Sequence, residues 1–193
     1  MSGFSLNTNR ARTRVMRAAL ALTGISLLLG LVAGWSGGLG LIATPSLAAP
    51  ADWTTYRNVR YGFELAYPGA LFRPERGPPR EEGRVFISRD SRARLVVGAT
   101  PNTQRTDLRR YRKFVLAQSY AGATIDYAPT RHTWFVLSGE RDGVAFYERV
   151  TFSCGGAVIN SWAIVYPSAS KARYDRIVEA IARSYRVGRN ACG

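Results

Sequence analysis

Hydrophobic positions recur with two different periods along this chain, and each change of period marks an element. Trp53-Thr-Thr-Tyr-Arg57 predicts a short first strand, and Phe63-Glu-Leu-Ala-Tyr67 alternates as a half-buried strand does. Asn58 and Gly62 bracket the turn between them, and Pro68-Gly69 ends the second run. Residues 71–84 hold three prolines among many charges and predict an exposed loop. Val85–Ser88 and Arg94–Gly98 then read as a hairpin around Arg-Asp-Ser-Arg. At Thr106-Asp107 the period lengthens: an N-cap signal precedes Leu108, Tyr111 and Val115 at helical spacing, with Phe114 flanking them. This helix is expected to end near Ala121-Gly122.

Four apolar-rich stretches follow, at Thr124–Tyr127, Thr133–Ser138, Val144–Phe152 and Ala157–Tyr166. Arg141-Asp142-Gly143 and Cys154-Gly155-Gly156 are tight-turn sequences between the later ones, so the four predict an antiparallel meander. Pro167 stops the last strand. In the final segment Tyr174, Ile177, Val178, Ile181 and Tyr185 form one apolar stripe, while Asp175, Arg176, Glu179 and Arg183 face away. Ser168 or Ser170 can cap this helix, and Gly188 ends the segment. The fold class is α+β: one antiparallel sheet flanked by two helices, in a single domain over residues 52–193.

The first 51 residues have a different pattern. Arg10, Arg12, Arg14 and Arg17 form a basic stretch, and no charged side chain occurs from Ala18 to Ala51. Ala18–Trp35 is the apolar centre, followed by glycines and a small-residue exit in which Ser46 and Ala48, or Ala49 and Ala51, fit the positions that signal peptidase accepts. This is either a cleaved export signal or an uncleaved anchor, since roughly 20 apolar residues span a bilayer. Both place the C-terminal domain outside the cytoplasm, periplasmic or secreted, with membrane attachment only through this segment if it is retained.

That address changes the meaning of the charge. The chain has 27 Lys and Arg against 13 Asp and Glu, a net charge of +14 that suggests a nucleic-acid binder. Only Lys113 and Lys171 are lysines, and without the four leader arginines the domain carries +10. An exported domain does not meet nucleic acid, so the expected partner is a protein or an anionic envelope component. Arg109, Arg110, Arg112 and Lys113 form the candidate binding run. Cys154 and Cys192 are the only cysteines, and an oxidising compartment predicts a disulfide between them. Closing that loop stabilises by roughly 4 kcal/mol in the chain-entropy view.

Few residues offer chemistry. One histidine, His132, and two cysteines 38 residues apart do not make a zinc set, and no cofactor motif occurs. The enzymatic alternative is a small envelope hydrolase using Cys154 with His132, or carboxylates from among Glu140, Asp142 and Glu148. Glu81-Glu82 belong to the charged loop and read as solvated. Trp53, Tyr56, Tyr61, Trp134, Tyr147 and Trp162 either line a ligand groove or serve as core and cross-strand pairs.

Tyr56-Arg-Asn-Val-Arg-Tyr-Gly-Phe-Glu-Leu-Ala-Tyr-Pro68 resembles the opening of PsbP-like domains, with an aromatic strand, a turn, Gly-Phe and an extended run ending in Tyr-Pro. Tyr174-Asp-Arg-Ile-Val-Glu-Ala-Ile-Ala-Arg-Ser-Tyr185 is similar to their last helix, and the order of elements agrees over residues 53–189. The family spans extrinsic photosystem subunits, a nuclear transport factor and bacterial envelope proteins. The resemblance implies an α/β/α sandwich that binds proteins rather than catalyses, here a bacterial exported member, without any site residue to carry over.

Overall fold

The structure, a computed structural model, describes residues 52–76, 82–188 and Cys192. The expected export segment, residues 1–51, and the middle of the proline-rich loop lie outside the described residues. The elements in chain order are β1 (Trp53–Arg57), β2 (Phe63–Pro68), β3 (Phe72–Pro74), β4 (Gly83–Ser88), β5 (Arg94–Pro101), α1 (Leu108–Ser119), β6 (Thr124–Tyr127), β7 (Trp134–Arg141), β8 (Val144–Ser153), β9 (Val158–Pro167), α2 (Lys171–Ser184) and β10 (Arg186–Val187).

Two sheets form where one was expected. The larger has the order β3-β4-β5-β9-β8-β7-β6, and the smaller is β1-β2-β10. Every pairing is antiparallel. The meander β6–β9 is present as the pattern predicts, and β9 closes against β5 to merge it with the earlier strands. Asp142 and Gly143 both have positive φ, so Arg141 pairs directly with Val144 across a two-residue turn. β3 and the start of β4 occupy part of the stretch expected to be loop. Phe72 is buried to 1% exposure and draws that segment onto the sheet opposite Ser88.

The seven-stranded sheet is the middle layer. On one face, the hairpin β1–β2 and helix α2 enclose Phe63, Leu65, Phe72, Phe86, Leu95, Trp162, Ile164 and Ile181. On the other, α1 packs Val115 and its neighbours over Phe135, Leu137, Phe146, Val150 and Phe152. Strand alternation supplies both cores from the same strands: Ala145 of β8 joins the first and Phe146 the second. Exposed ion pairs such as Arg57–Glu64 at 2.8 Å and Lys171–Asp175 at 3.0 Å contribute only about 0.2–1 kcal/mol each. Burying one large apolar side chain contributes about 1.5–3 kcal/mol, so the cores dominate.

Asp107 caps α1 as the pattern predicts, its carboxylate accepting from the Arg110 backbone N–H at 2.8 Å. α2 differs from expectation at its start. Ser168–Ser170 form a 3-10 turn, and the Ser170 hydroxyl makes no capping bond. At the far end Arg186 and Val187 leave the helix and pair with Glu64 and Phe63.

Two substitutions test this architecture. A Cβ on Gly139 would run into the Thr124 carbonyl oxygen across the β6–β7 ladder, so Gly139→Ala is expected to cost about 1–3 kcal/mol in urea unfolding. Cys192→Ser is expected to cost about 2–4 kcal/mol in the same assay.

Candidate functional site

Helix α1 presents its charges because its sequence has only one narrow apolar stripe. Val115 is the buried residue of the helix, Leu108, Tyr111 and Leu116 pack partly beneath it, and Arg109, Arg110 and Lys113 are exposed on the opposite side. Phe114 stands in the same outer surface at 54% exposure, its ring 5.9 Å from that of Tyr111. The helix contains no acidic residue. Asp107 precedes it, and the Arg110 backbone N–H holds its carboxyl below the usual range, helped by the charges of Arg110 and Arg109. The basic run does not act as one unit. Arg112 turns toward the sheet, half-buried, and its Nε is buried without a hydrogen-bond partner. Three cations around an exposed ring can attract an anionic surface and add apolar contact to it.

Cys154 and Cys192 are joined in a disulfide, with Cα atoms 5.2 Å apart. The bond ties the β8–β9 turn to the chain beyond β10. A thiol engaged in this way is not a nucleophile, and His132 is exposed in the bend before β7. Among the described residues no group of His, Cys, Asp and Glu is placed to hold a metal ion.

The carboxylates are separated by the pleat. Glu140 is exposed on β7 and lies opposite Ala145, on the α2 side of the sheet. Asp142 is exposed in the turn. Glu148 lies on the α1 side, 2% exposed, and accepts a hydrogen bond from the Tyr120 hydroxyl at 2.7 Å. The Tyr120 ring stacks on Phe146 with centroids 4.1 Å apart. Burial pushes Glu148 up to about 7, against the lowering effect of the Tyr120 bond. Burial and the Glu148 charge together push Tyr111 up to about 12. A paired-acid arrangement around a cleft does not form.

The aromatic set also divides. Tyr61 and Trp162 are core residues on the α2 side, with Trp53, Tyr56 and Tyr147 packed against them. Trp134 is half-buried at the edge of this face, with the Arg149 guanidinium 4.5 Å from its ring centre.

No protein-family model matches the sequence, and no curated protein matches it. Solved structures do. Cyanobacterial PsbP (CyanoP) from Synechocystis sp. PCC 6803 superposes with a TM-score of 0.54 at 15% identity, covering 80% of this chain and 98% of that one. The domain has a PsbP-like fold. A mutant of the protein Mog1 matches with a TM-score of 0.50 at 12% identity over 70% of this chain and 95% of that one. The Saccharomyces cerevisiae Ran-binding protein Mog1p gives 0.49 at 14% identity, with the same coverage. At these identities the likeness extends to the fold alone.

Within the PsbP-like domain, the sequence pattern identified the exposed cations of α1 but missed the partner of Glu148. Tyr120 lies 28 residues away, just past the helix, and only the docking of α1 brings them together. Because its pKa is raised in the folded state, Glu148 stabilises the domain fully below about pH 4.5, and this contribution disappears as pH rises through about 7. The urea midpoint is expected to fall between about pH 5 and about pH 8, and Glu148→Gln to flatten that slope and raise stability at the upper end by about 1–3 kcal/mol.

Proposed function

We propose that this PsbP-like domain is an exported, non-catalytic binding module that holds a protein or an anionic envelope component against the outer face of α1. The observation that carries this reading is the exposure of Arg109, Arg110 and Lys113 around Phe114, on a helix without an acidic residue. Arg112 stands at the inner edge of that surface. Three exposed cations raise encounter rates with an anionic partner, and the ring adds contact area once docked. The disulfide supports an oxidising location, and the basic-then-apolar leader supports export, with the domain periplasmic, secreted or held outside by its own anchor. In that location the net positive charge serves solubility and attraction to anionic partners, without nucleic acid.

The test combines fractionation with affinity capture from cell envelopes. The protein is expected outside the cytoplasm, and its captured partner to be lost as salt is raised. Neutralising Arg109, Arg110 and Lys113 together is expected to reduce capture roughly 10-fold at low ionic strength, with the thermal midpoint unchanged. Recovery of nothing at low salt, or equal recovery by the neutral variant, would refute the reading.

A further inference from the structure

Several buried polar atoms without hydrogen-bond partners in the protein gather in one place, on the α2 side of the central sheet. They are Arg149 Nε on β8 and Asn160 Oδ1 and Trp162 Nε1 on β9, beside the hydroxyls of Thr151 on β8 and of Tyr185 at the end of α2, which meet each other. The register brings them together. Thr151 pairs with Asn160 and Arg149 with Trp162, and the four side chains share one face. Tyr185 descends on them from α2, its ring 6.4 Å from that of Trp162 and its hydroxyl facing Thr151. Asn160 and Trp162 are 0% exposed, so Asn160 Oδ1 and Trp162 Nε1 were removed from water without a hydrogen bond from the chain. Each such group costs about 1–3 kcal/mol, and a fold retains several side by side where something else meets them.

Arg149 shows what that is. Its guanidinium lies between two rings, 4.5 Å from the centre of Trp134 and 5.6 Å from that of Tyr185. Stacking occupies the faces of the guanidinium and leaves its edge to bond, in the plane where it donates to two oxygens at once. Its strand neighbour Glu148 points to the opposite face and bonds Tyr120, so it does not neutralise Arg149. Toward β7 the cluster reaches the surface only at Trp134 and Arg149, which are half-exposed, with Arg131 6.0 Å over the Trp134 ring. On the same face the Trp162 indole N–H is a neutral donor without a partner. Asn160 Oδ1 is an acceptor, fixed in place because its Nδ2 donates to Ser153 Oγ at 2.8 Å. The flat edge of the guanidinium fits a flat anion.

We propose that this cluster binds a carboxylate, presented as a small free acid or as the C-terminus of a peptide. The site lies across the sheet from the basic face of α1 and does not depend on it.

The full chain, labelled with 15N, is titrated with acetate, and separately with a short neutral peptide bearing a free C-terminus and with its C-terminal amide, all at matched ionic strength. The expected result is a saturable shift of the Trp162 indole and Arg149 Nε resonances. A shift with acetate equal to that with the peptide acid identifies a free-acid site. Binding of the peptide acid ~10-fold tighter than acetate, and lost in the amide, identifies a peptide terminus. Arg149→Lys keeps the charge but not the flat edge and is expected to weaken binding ~10-fold or more. Tyr185→Phe keeps the ring on Arg149 and is expected to weaken it a few-fold, which preserves the test if the first variant unfolds. Arg176→Ala, on the exposed face of α2, is expected to bind as the parent does. The proposal is overturned if neither acetate nor the peptide acid gives a saturable shift, if chloride or sulfate gives the same shift, or if the folded Arg149→Lys variant binds equally well.

Discussion

The pairing of β8 with β9 is the constraint on which the rest of the molecule depends. The two strands run together from Val144 opposite Pro167 to Ser153 opposite Val158, in the middle of the seven-stranded sheet. Because side chains alternate, this ladder decides which residues enter which core. Phe146, Glu148, Val150 and Phe152 go under α1, while Ala145, Tyr147, Arg149 and Thr151 lie on the α2 side. A slip of one residue would put Arg149 against Tyr120, and Glu148 beneath Tyr185. Two opposite charges on neighbouring positions therefore make the register costly to change.

The two faces of the sheet carry different burdens. The α2 side is covered twice, by the helix and by the β1–β2–β10 sheet, and holds the large aromatic core. The α1 side is covered by one helix that fully buries a single residue. Such a helix needs few apolar positions, which leaves its outer surface open to carry Arg109, Arg110, Lys113 and Phe114. The disulfide acts at a third place, fastening the chain after β10 to the β8–β9 turn, where Gly155 and Gly156 adopt positive φ.

The candidate site was legible in uneven measure. The exposed cations of α1 follow from helical spacing, because the stripe formed by Leu108, Tyr111 and Val115 assigns the opposite side to solvent. Arg112 has the same residue type and sits two positions from Arg110, yet its Nε is buried, since 100° per residue carries it back toward the sheet. The Cys154–Cys192 pairing was legible because two cysteines admit one intrachain partnership. Glu148 read as one of several acids near a hairpin. Its burial and its bond to Tyr120 come from a contact across 28 residues that no local pattern encodes. Arg149 gave no signal of its own, because its setting is built from β7, β9 and α2.

By itself the sequence determined the elements with strong periodicity, the turn at Asp142-Gly143, the cap at Asp107 and the disulfide partners. These depend on backbone sterics, side-chain spacing and residue counting, all local or combinatorial. Only the tertiary structure decided the elements without a pattern of their own. β3 is three residues held by Phe72, and β10 is two residues that exist because β2 offers them an edge. It also decided that there are two sheets, that the acids stand apart, and that Arg149 lies between Trp134 and Tyr185. The physical reason is the same in each case: hydrogen bonding across strands and burial under a second layer act between residues far apart in the chain.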